Sequence, residues 1–224
     1  ADPLLTLPVS FLAGALCGIL TGAIHVKLGV RDLLSGIIVS TGLYSVNLRI
    51  AGKSNLPIFS KDSIFSNPVV DRIFSGASSQ IINVIILILI VLFLKLLLDV
   101  YLGTRSGYLL RACGSNRRLV VALNRDDGRV KILGLALANG FAAFAGCMMA
   151  QKQGYFELSM GTGMMVIGLA NVIIGMQLFG RLSFMKATTA VTIGALIYRA
   201  CVAAAINAGL EPGDMKLITA ALFL

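Results

Sequence analysis

The run Ile81-Ile-Asn-Val-Ile-Ile-Leu-Ile-Leu-Ile-Val-Leu-Phe-Leu-Lys-Leu-Leu-Leu98 decides the fold. Only Asn83 and Lys95 interrupt it, and its length approaches the roughly 20 residues needed to cross a hydrocarbon layer about 30 Å thick. Working outward, segments of similar character lie at Leu7–Leu28, Leu33–Leu48, Ser79–Leu102, Lys131–Ala150, Thr162–Phe179 and Ala187–Asn207, and another begins at Lys216. Apolar residues fill 57% of the 224 positions and charged residues 13%, an excess that a water-soluble core cannot absorb. The expectation is an all-α, polytopic transmembrane helix bundle embedded in the lipid bilayer.

Two segments, Leu33–Leu48 and Thr162–Phe179, are short, glycine-interrupted and polar-rich, which predicts broken or re-entrant helices. A small-residue helix followed by a short glycine-bearing segment occurs twice. The first copy is Leu7–Leu28 with Ser35-Gly36-Ile37-Ile38-Val39; the second is Lys131–Ala150 with Thr162-Gly163-Met164-Met165-Val166. The two would run in opposite directions, as an inverted repeat does. The chain opens Ala1-Asp2-Pro3 without the basic n-region of a signal peptide, and the nine residues from Lys216 to Leu224 are too few to span. One membrane domain over 1–224, part of a longer protein with helices missing at both ends, is therefore expected.

The formal net charge of +9 does not indicate nucleic acid, because the cations sit between apolar runs instead of forming a basic stripe on a soluble face. Arg105, Arg111, Arg117, Arg118, Arg125, Arg129 and Lys131 face only Asp126 and Asp127 between Gly103 and Lys131, which makes this loop cytoplasmic by the positive-inside rule. Threading the segments places Lys27, Arg31, Arg181 and Lys186 on that side. Arg49, Lys53, Lys61, Arg72, Lys152 and Lys216 fall on the other, a bias of eleven to six. The four cysteines are widely spaced without a CxxC pair and read as packing residues. His25, the single histidine, cannot build a histidine-based zinc site, so no metal is expected; near a helix end it reads as an interfacial residue.

Gly14, Gly18 and Gly22 form a GxxxGxxxG ladder that lets a second backbone approach closely, with packing inside the chain favoured over a dimer interface. Within the basic loop, Gly114 followed by Ser115 and Asn116 reads as a helix stop and a new N-cap, and Leu119, Val120 and Leu123 give the next short helix an apolar stripe. That stripe lies either on anionic headgroups or in a groove of a soluble protein. From Gln151 to Gly163, the closely spaced Gly154, Glu157, Ser159, Gly161 and Gly163 suit an unwound backbone lining a polar path or an ordinary outer loop. Arg199 lies mid-segment, where a cation costs roughly 2.5–3.5 kcal/mol, and is expected to face the bundle interior or a wet cavity. Asn47 and Asn171 read as interhelical ties in preference to solute contacts. Gly52-Lys53-Ser54 imitates a P-loop end, but Asn47 occupies the place of the required glycine. No serine, histidine and carboxylate group together for hydrolysis, so an intramembrane enzyme is disfavoured and no catalytic residue is assigned.

The run Leu110-Arg-Ala-Cys-Gly-Ser-Asn116 and the later Val130-Lys-Ile-Leu-Gly-Leu-Ala-Leu-Ala-Asn-Gly-Phe-Ala-Ala-Phe-Ala-Gly146 resemble a stretch of ABC importer permeases of the branched-chain amino acid and ribose type. Tyr44–Ile50, Gln151–Gly161 and Met164–Gly175 are most similar to an uncharacterised branch of that group linked to uptake of tryptophan and other aromatic amino acids. The resemblance implies a single permease domain in the inner (plasma) membrane, with a cytoplasmic coupling loop over 103–130. It further implies that Arg111, Ala112, Gly114, Ser115, Asn116, Arg117, Arg118, Leu119 and Leu123 form or flank a coupling helix seated in a partner ATPase. Cys113 and the doubled Arg117-Arg118 depart from the group's commonest residues. A solute-facing gate near Glu157 is implied as well. The chain itself would hold no cofactor: ATP and Mg would sit on ATP-binding cassette subunits, alongside an extracytoplasmic solute-binding protein and a second permease copy. The rival is a secondary transporter driven by an ion gradient, for which Glu157, Arg199, Lys95 and Asp99 are the ionisable residues near membrane depth.

Overall fold

The computed structural model describes residues 2–59, 63–66, 79–115, 126–180, 182, 185–207 and 209. Seven α-helices and two short strands occur among them: α1 Pro3–Leu28, α2 Asp32–Ala51, β1 Asn55–Pro57, α3 Ser79–Leu102, α4 Arg105–Ser115, α5 Asp127–Gln153, β2 Tyr155–Glu157, α6 Met164–Phe179 and α7 Ala187–Asn207. A 3-10 turn covers Ile64–Ser66. Five of the helices (α1, Leu33–Ala51 of α2, Ile81–Leu102 of α3, α5 and α7) are long and apolar enough to cross a membrane, and the fold is the expected all-α polytopic bundle. The chain divides into two compact units, Ala1–Ser159 and Met160–Leu224.

In the first unit α1 and α5 lie against each other in antiparallel sense. Gly14 sits over Asn139 and Ala143, Gly18 over Leu135 and Ala136, and Gly22 over Ile132. A Cβ on Gly18 would stand 2.6 Å from the Cα of Ala136 and 2.8 Å from the carbonyl carbon of Leu135, so only glycine admits this approach. The opposite face of α1 is the reverse of a soluble helix: Leu12 and Leu16 are 62% and 67% exposed, as suits side chains whose solvent is lipid. Polar ties reinforce the seam. Ser10 donates to the Ala143 carbonyl at 2.8 Å, and the rings of Phe11 and Phe141 meet edge to face at 5.4 Å.

At the far end of this pair, Gln151 acts as a hub. Its Nε2 donates to Thr6 Oγ1 (2.8 Å) and to the Pro3 carbonyl (3.2 Å), while its Oε1 accepts from Ile64 N at 3.2 Å. Leu7, Ile64 and Met148 form a small core beneath it, against which Ile86, Leu87 and Ile90 of α3 pack. Gly154, at φ 75, ends α5, and a Cβ there would overlap the Phe59 ring; the chain then turns into β2, which pairs antiparallel with β1 in the register Asn55↔Glu157, Leu56↔Phe156 and Pro57↔Tyr155. Lys53 and Lys152 thus share one end of the unit, and Lys27 shares the other with Asp126–Lys131, in keeping with the threading of the charges.

Several boundaries differ from expectation, among them the start of α1 at Pro3 and the end of α5 at Gln153. The segment expected to break between Leu33 and Leu48 is one continuous helix of 20 residues that carries Gly36 and Gly42 within it. It extends to Ala51 because Gly52, at φ 71, provides the left-handed cap, its N–H bonding back to the Leu48 carbonyl. Helix α5 starts four residues before Lys131: Asp126 caps it, its Oδ1 accepting from the N–H of Gly128 (3.0 Å) and Arg129 (3.3 Å). By contrast α6 keeps the expected brevity, at 16 residues.

The second unit repeats the small-residue principle. Gly175 lies over the Ala190 carbonyl, and Gly194 over the Asn171 carbonyl and Gly175 itself, so α6 and α7 also run antiparallel in backbone contact. Ala170, Tyr198 and Val202 form its core with Ile167 and Ile174.

Gly18→Val is expected to wedge α1 from α5 and destabilise the chain by about 1–3 kcal/mol, whereas Gly36→Val, where no atom of the described residues lies within 4 Å of a Cβ, should not. Thermal unfolding in detergent compares the two; equal melting temperatures would contradict the seam.

Candidate functional site

Both regions singled out by the sequence lie at the ends of these helices. At the basic end, α3 stops at Leu102 and the two-residue link Gly103-Thr104 turns the chain into α4. The C-terminal turn of α4 has two sides. Arg111, Gly114 and Ser115 are exposed at helical spacing, while Leu110, Ala112 and Cys113 are half-buried, with the Leu110 side chain over Gly134 of α5. A cleft of about 500 Å³ lies there, lined by His25, Leu110, Cys113, Gly114, Lys131 and Gly134, among others.

The expected helix stop at Gly114 does not occur: α4 continues through Gly114 to Ser115. The Ser115 hydroxyl bonds backwards, to the carbonyls of Arg111 (3.2 Å) and Ala112 (3.3 Å), as a serine within a helix does. Asn116, Arg117, Arg118, Leu119 and Leu123 lie outside the described residues.

His25 is half-buried and joins α1 to α5. Its Nδ1 lies 2.7 Å from the Val30 carbonyl, which can only accept, so the proton belongs on Nδ1; Nε2 then accepts from Lys131 Nζ at 3.3 Å. Sequence reasoning missed this bridge, since residues 25 and 131 meet only through the antiparallel seam. It missed the Asp126 cap as well, although an aspartate immediately before Asp127-Gly-Arg is a readable helix-start signal. The Arg129–Asp126 ion pair, 3.1 Å apart but highly exposed on both sides, contributes little.

At the opposite end, Glu157 closes β2 half-buried and accepts a hydrogen bond from the Ser159 hydroxyl. Gly154 is fixed under Phe59. Asn47 is exposed on α2. These four residues belong to the first unit. In the second unit, Gly161 and Gly163 are exposed; Gly163, at φ 84, precedes α6, and Met164 N bonds to the Gly161 carbonyl at 3.1 Å. Asn171 meets α7 through its backbone, not through its side-chain oxygen. Its backbone carbonyl touches Gly194, yet its side-chain Oδ1 is buried without a hydrogen-bond partner among the described residues. Arg199 is exposed on α7 beside the fully buried Tyr198.

Of the ionisable residues at membrane depth, Lys95 and Asp99 pair with each other one turn apart on α3, at 3.1 Å, and the Asp99 side chain is only 5% exposed. An Asp near a helix C-terminus is disfavoured by the helix dipole, so the lysine ammonium stabilises it there.

Comparison with known proteins agrees with this architecture. The chain is 38% identical over 223 residues to a tyrosine transport system permease protein of Clostridioides difficile, a match that covers 100% of this chain and 72% of that one. It is 29% identical over 213 residues to an uncharacterised protein of Rickettsia prowazekii, covering 93% of this chain and 72% of the relative. No solved structure matches. The profile of the branched-chain amino acid transport system permease component spans residues 1–224. With its five membrane-length apolar helices, the chain is a multi-pass inner-membrane transport protein and belongs to the branched-chain amino acid transport system permease family.

Proposed function

We propose that this chain is the membrane-spanning subunit of an ATP-driven importer that brings an aromatic amino acid into the cytoplasm. The observation that carries the proposal is the two-sided end of α4. Arg111 and Ser115 are exposed on a helix whose other side rests on α5 through Leu110, as a surface that receives a soluble partner would be built. Family membership and the tyrosine transport permease among its relatives support both the motor and the solute class.

In this reading the basic end is cytoplasmic, and the segment from Arg111 to Leu123 sits in a cleft of an ATP-binding cassette subunit that holds ATP and Mg. A second permease copy and an extracytoplasmic solute-binding protein complete the assembly. Closure of the ATPases presses on α4, and access to the solute path alternates. This chain makes and breaks no bonds; it converts the preference of the partners for one arrangement into a preference of the solute site for one side of the membrane. Asn171 supplies an acceptor without a partner among the described residues, suited to an ammonium or hydroxyl donor, and Glu157 supplies a carboxylate at the outer end.

Replacing Gly114 and Leu119 together with Asp is expected to release the ATPase from the purified complex while the far-ultraviolet spectrum of the membrane part stays unchanged; an ATPase that remains bound with unaltered turnover refutes the docking assignment.

Tyrosine uptake into proteoliposomes carrying the full complex should be competed by tryptophan and phenylalanine, and Asn171→Ala should weaken it about 5- to 100-fold, the range for losing a buried hydrogen bond. Competition by leucine but not by aromatic amino acids would exclude the aromatic class.

A further inference from the structure

We infer that the corner between α3 and α4, centred on Gly107, is a rigid bracket that delivers movement of α4 to α3, and that Gly107 is a positioning residue for transport. The inference rests on the coupling reading above and adds the route by which the push travels.

By composition the link Gly103-Thr104 looks like a flexible hinge, yet both of its N–H groups are hydrogen-bonded. Gly103 N bonds to the carbonyls of Asp99 and Val100, both at 3.1 Å, and Thr104 N to that of Tyr101 at 2.9 Å. The Thr104 hydroxyl donates to the same Tyr101 carbonyl at 2.6 Å and accepts from Gly107 N at 3.3 Å, so one side chain caps α4 while holding the last turn of α3. A second tie crosses the corner where the hydroxyls of Tyr101 and Ser106 meet at 3.1 Å. Gly107 is buried with its Cα against the backbone of α3: a Cβ would stand 2.5 Å from the Cα of Leu102 and 2.7 Å from its carbonyl carbon. These obstacles are main chain and cannot rotate away as a side chain would.

Helix α4 is therefore a lever of eleven residues, about 16 Å long at 1.5 Å per residue, clamped at its start and exposed at Arg111, Gly114 and Ser115 near its tip. Its contact with α5 is softer. Leu110 over Gly134 is the flexible end of a side chain against a notch. A push on the tip can be accommodated at Leu110 but not at the corner, so it must carry α3, with its Lys95–Asp99 pair, along with it.

Two variants of the assembled transporter in proteoliposomes test this. Inserting two glycines between Gly103 and Thr104 loosens the clamp without altering either helix, and Gly107→Val prises it open. Both are expected to retain the ATPase and its hydrolysis rate while solute moved per ATP falls about tenfold, within the usual range of coupling effects. Thermal stability is followed in parallel, and the insertion decides the matter if Gly107→Val fails to fold. If transport and hydrolysis fall together at a constant ratio, or neither changes, the bracket is overturned while the docking surface stands. If the unaltered chain does not hold an ATPase, the coupling reading itself fails.

Discussion

The direct contact of one helix backbone with another, at Gly14, Gly18 and Gly22 of α1 on α5, is the constraint from which the rest of the first unit follows. Lipid offers no hydrophobic drive to bring helices together, because a leucine gains nothing by leaving one hydrocarbon for another. Association then depends on close packing and on polar ties, and both are concentrated along this seam: three glycines, Ser10 on the Ala143 carbonyl, and Gln151 holding Thr6 and Pro3. The exposed Leu12 and Leu16 are the complement of the same logic. Once α1 and α5 are antiparallel and in register, His25 must meet Lys131 at one end and Gln151 must meet Thr6 at the other.

Hydropathy made the membrane segments legible, and for Ser79–Leu102 and Ala187–Asn207 the expected limits coincide with the helices found. It misplaced ends that are set by caps. Helix α5 begins beyond the apolar run because the Asp126 carboxylate holds its first N–H groups, and α2 outlasts its run because Gly52 can adopt a left-handed turn. The pairing of Asn55–Pro57 with Tyr155–Glu157 was not legible at all. Strands of three residues separated by a hundred positions carry no periodic signal, and they are brought together only by the helices that precede them.

For the proposed coupling segment, sequence marked a stretch but not how that stretch is held. Arg111, Gly114 and Ser115 were read as part of the coupling stretch, and all three are exposed near the end of α4. What fixes that face was hidden: the Thr104 cap, the buried Gly107 and the Leu110 notch are tertiary facts, and a glycine next to a link reads locally as a stop or a hinge. Gly114 was misread in this way. Its neighbour Ser115 bonds back to Arg111 and Ala112, so the helix passes through the glycine without a break. Asn171 stood out as an isolated polar residue in an apolar segment, and Glu157 as the carboxylate of a glycine- and hydroxyl-bearing stretch, signals that survive without tertiary information.

A transport subunit needs parts that move and parts that do not, and the glycines separate the two. On α1, a slide along α5 would drive a neighbouring side chain into the α5 backbone, so the three-glycine seam holds one register. Sub-ångström changes cannot accumulate across such a contact, because packed interfaces of this kind are not continuously deformable. Gly36, Gly161 and Gly168 stand otherwise, with no atom of the described residues within 4 Å of where a Cβ would lie. Glycine there leaves the surrounding chain room to rearrange without breaking a seam. The same residue type therefore locks the chain where it meets another backbone and leaves it free where it meets none.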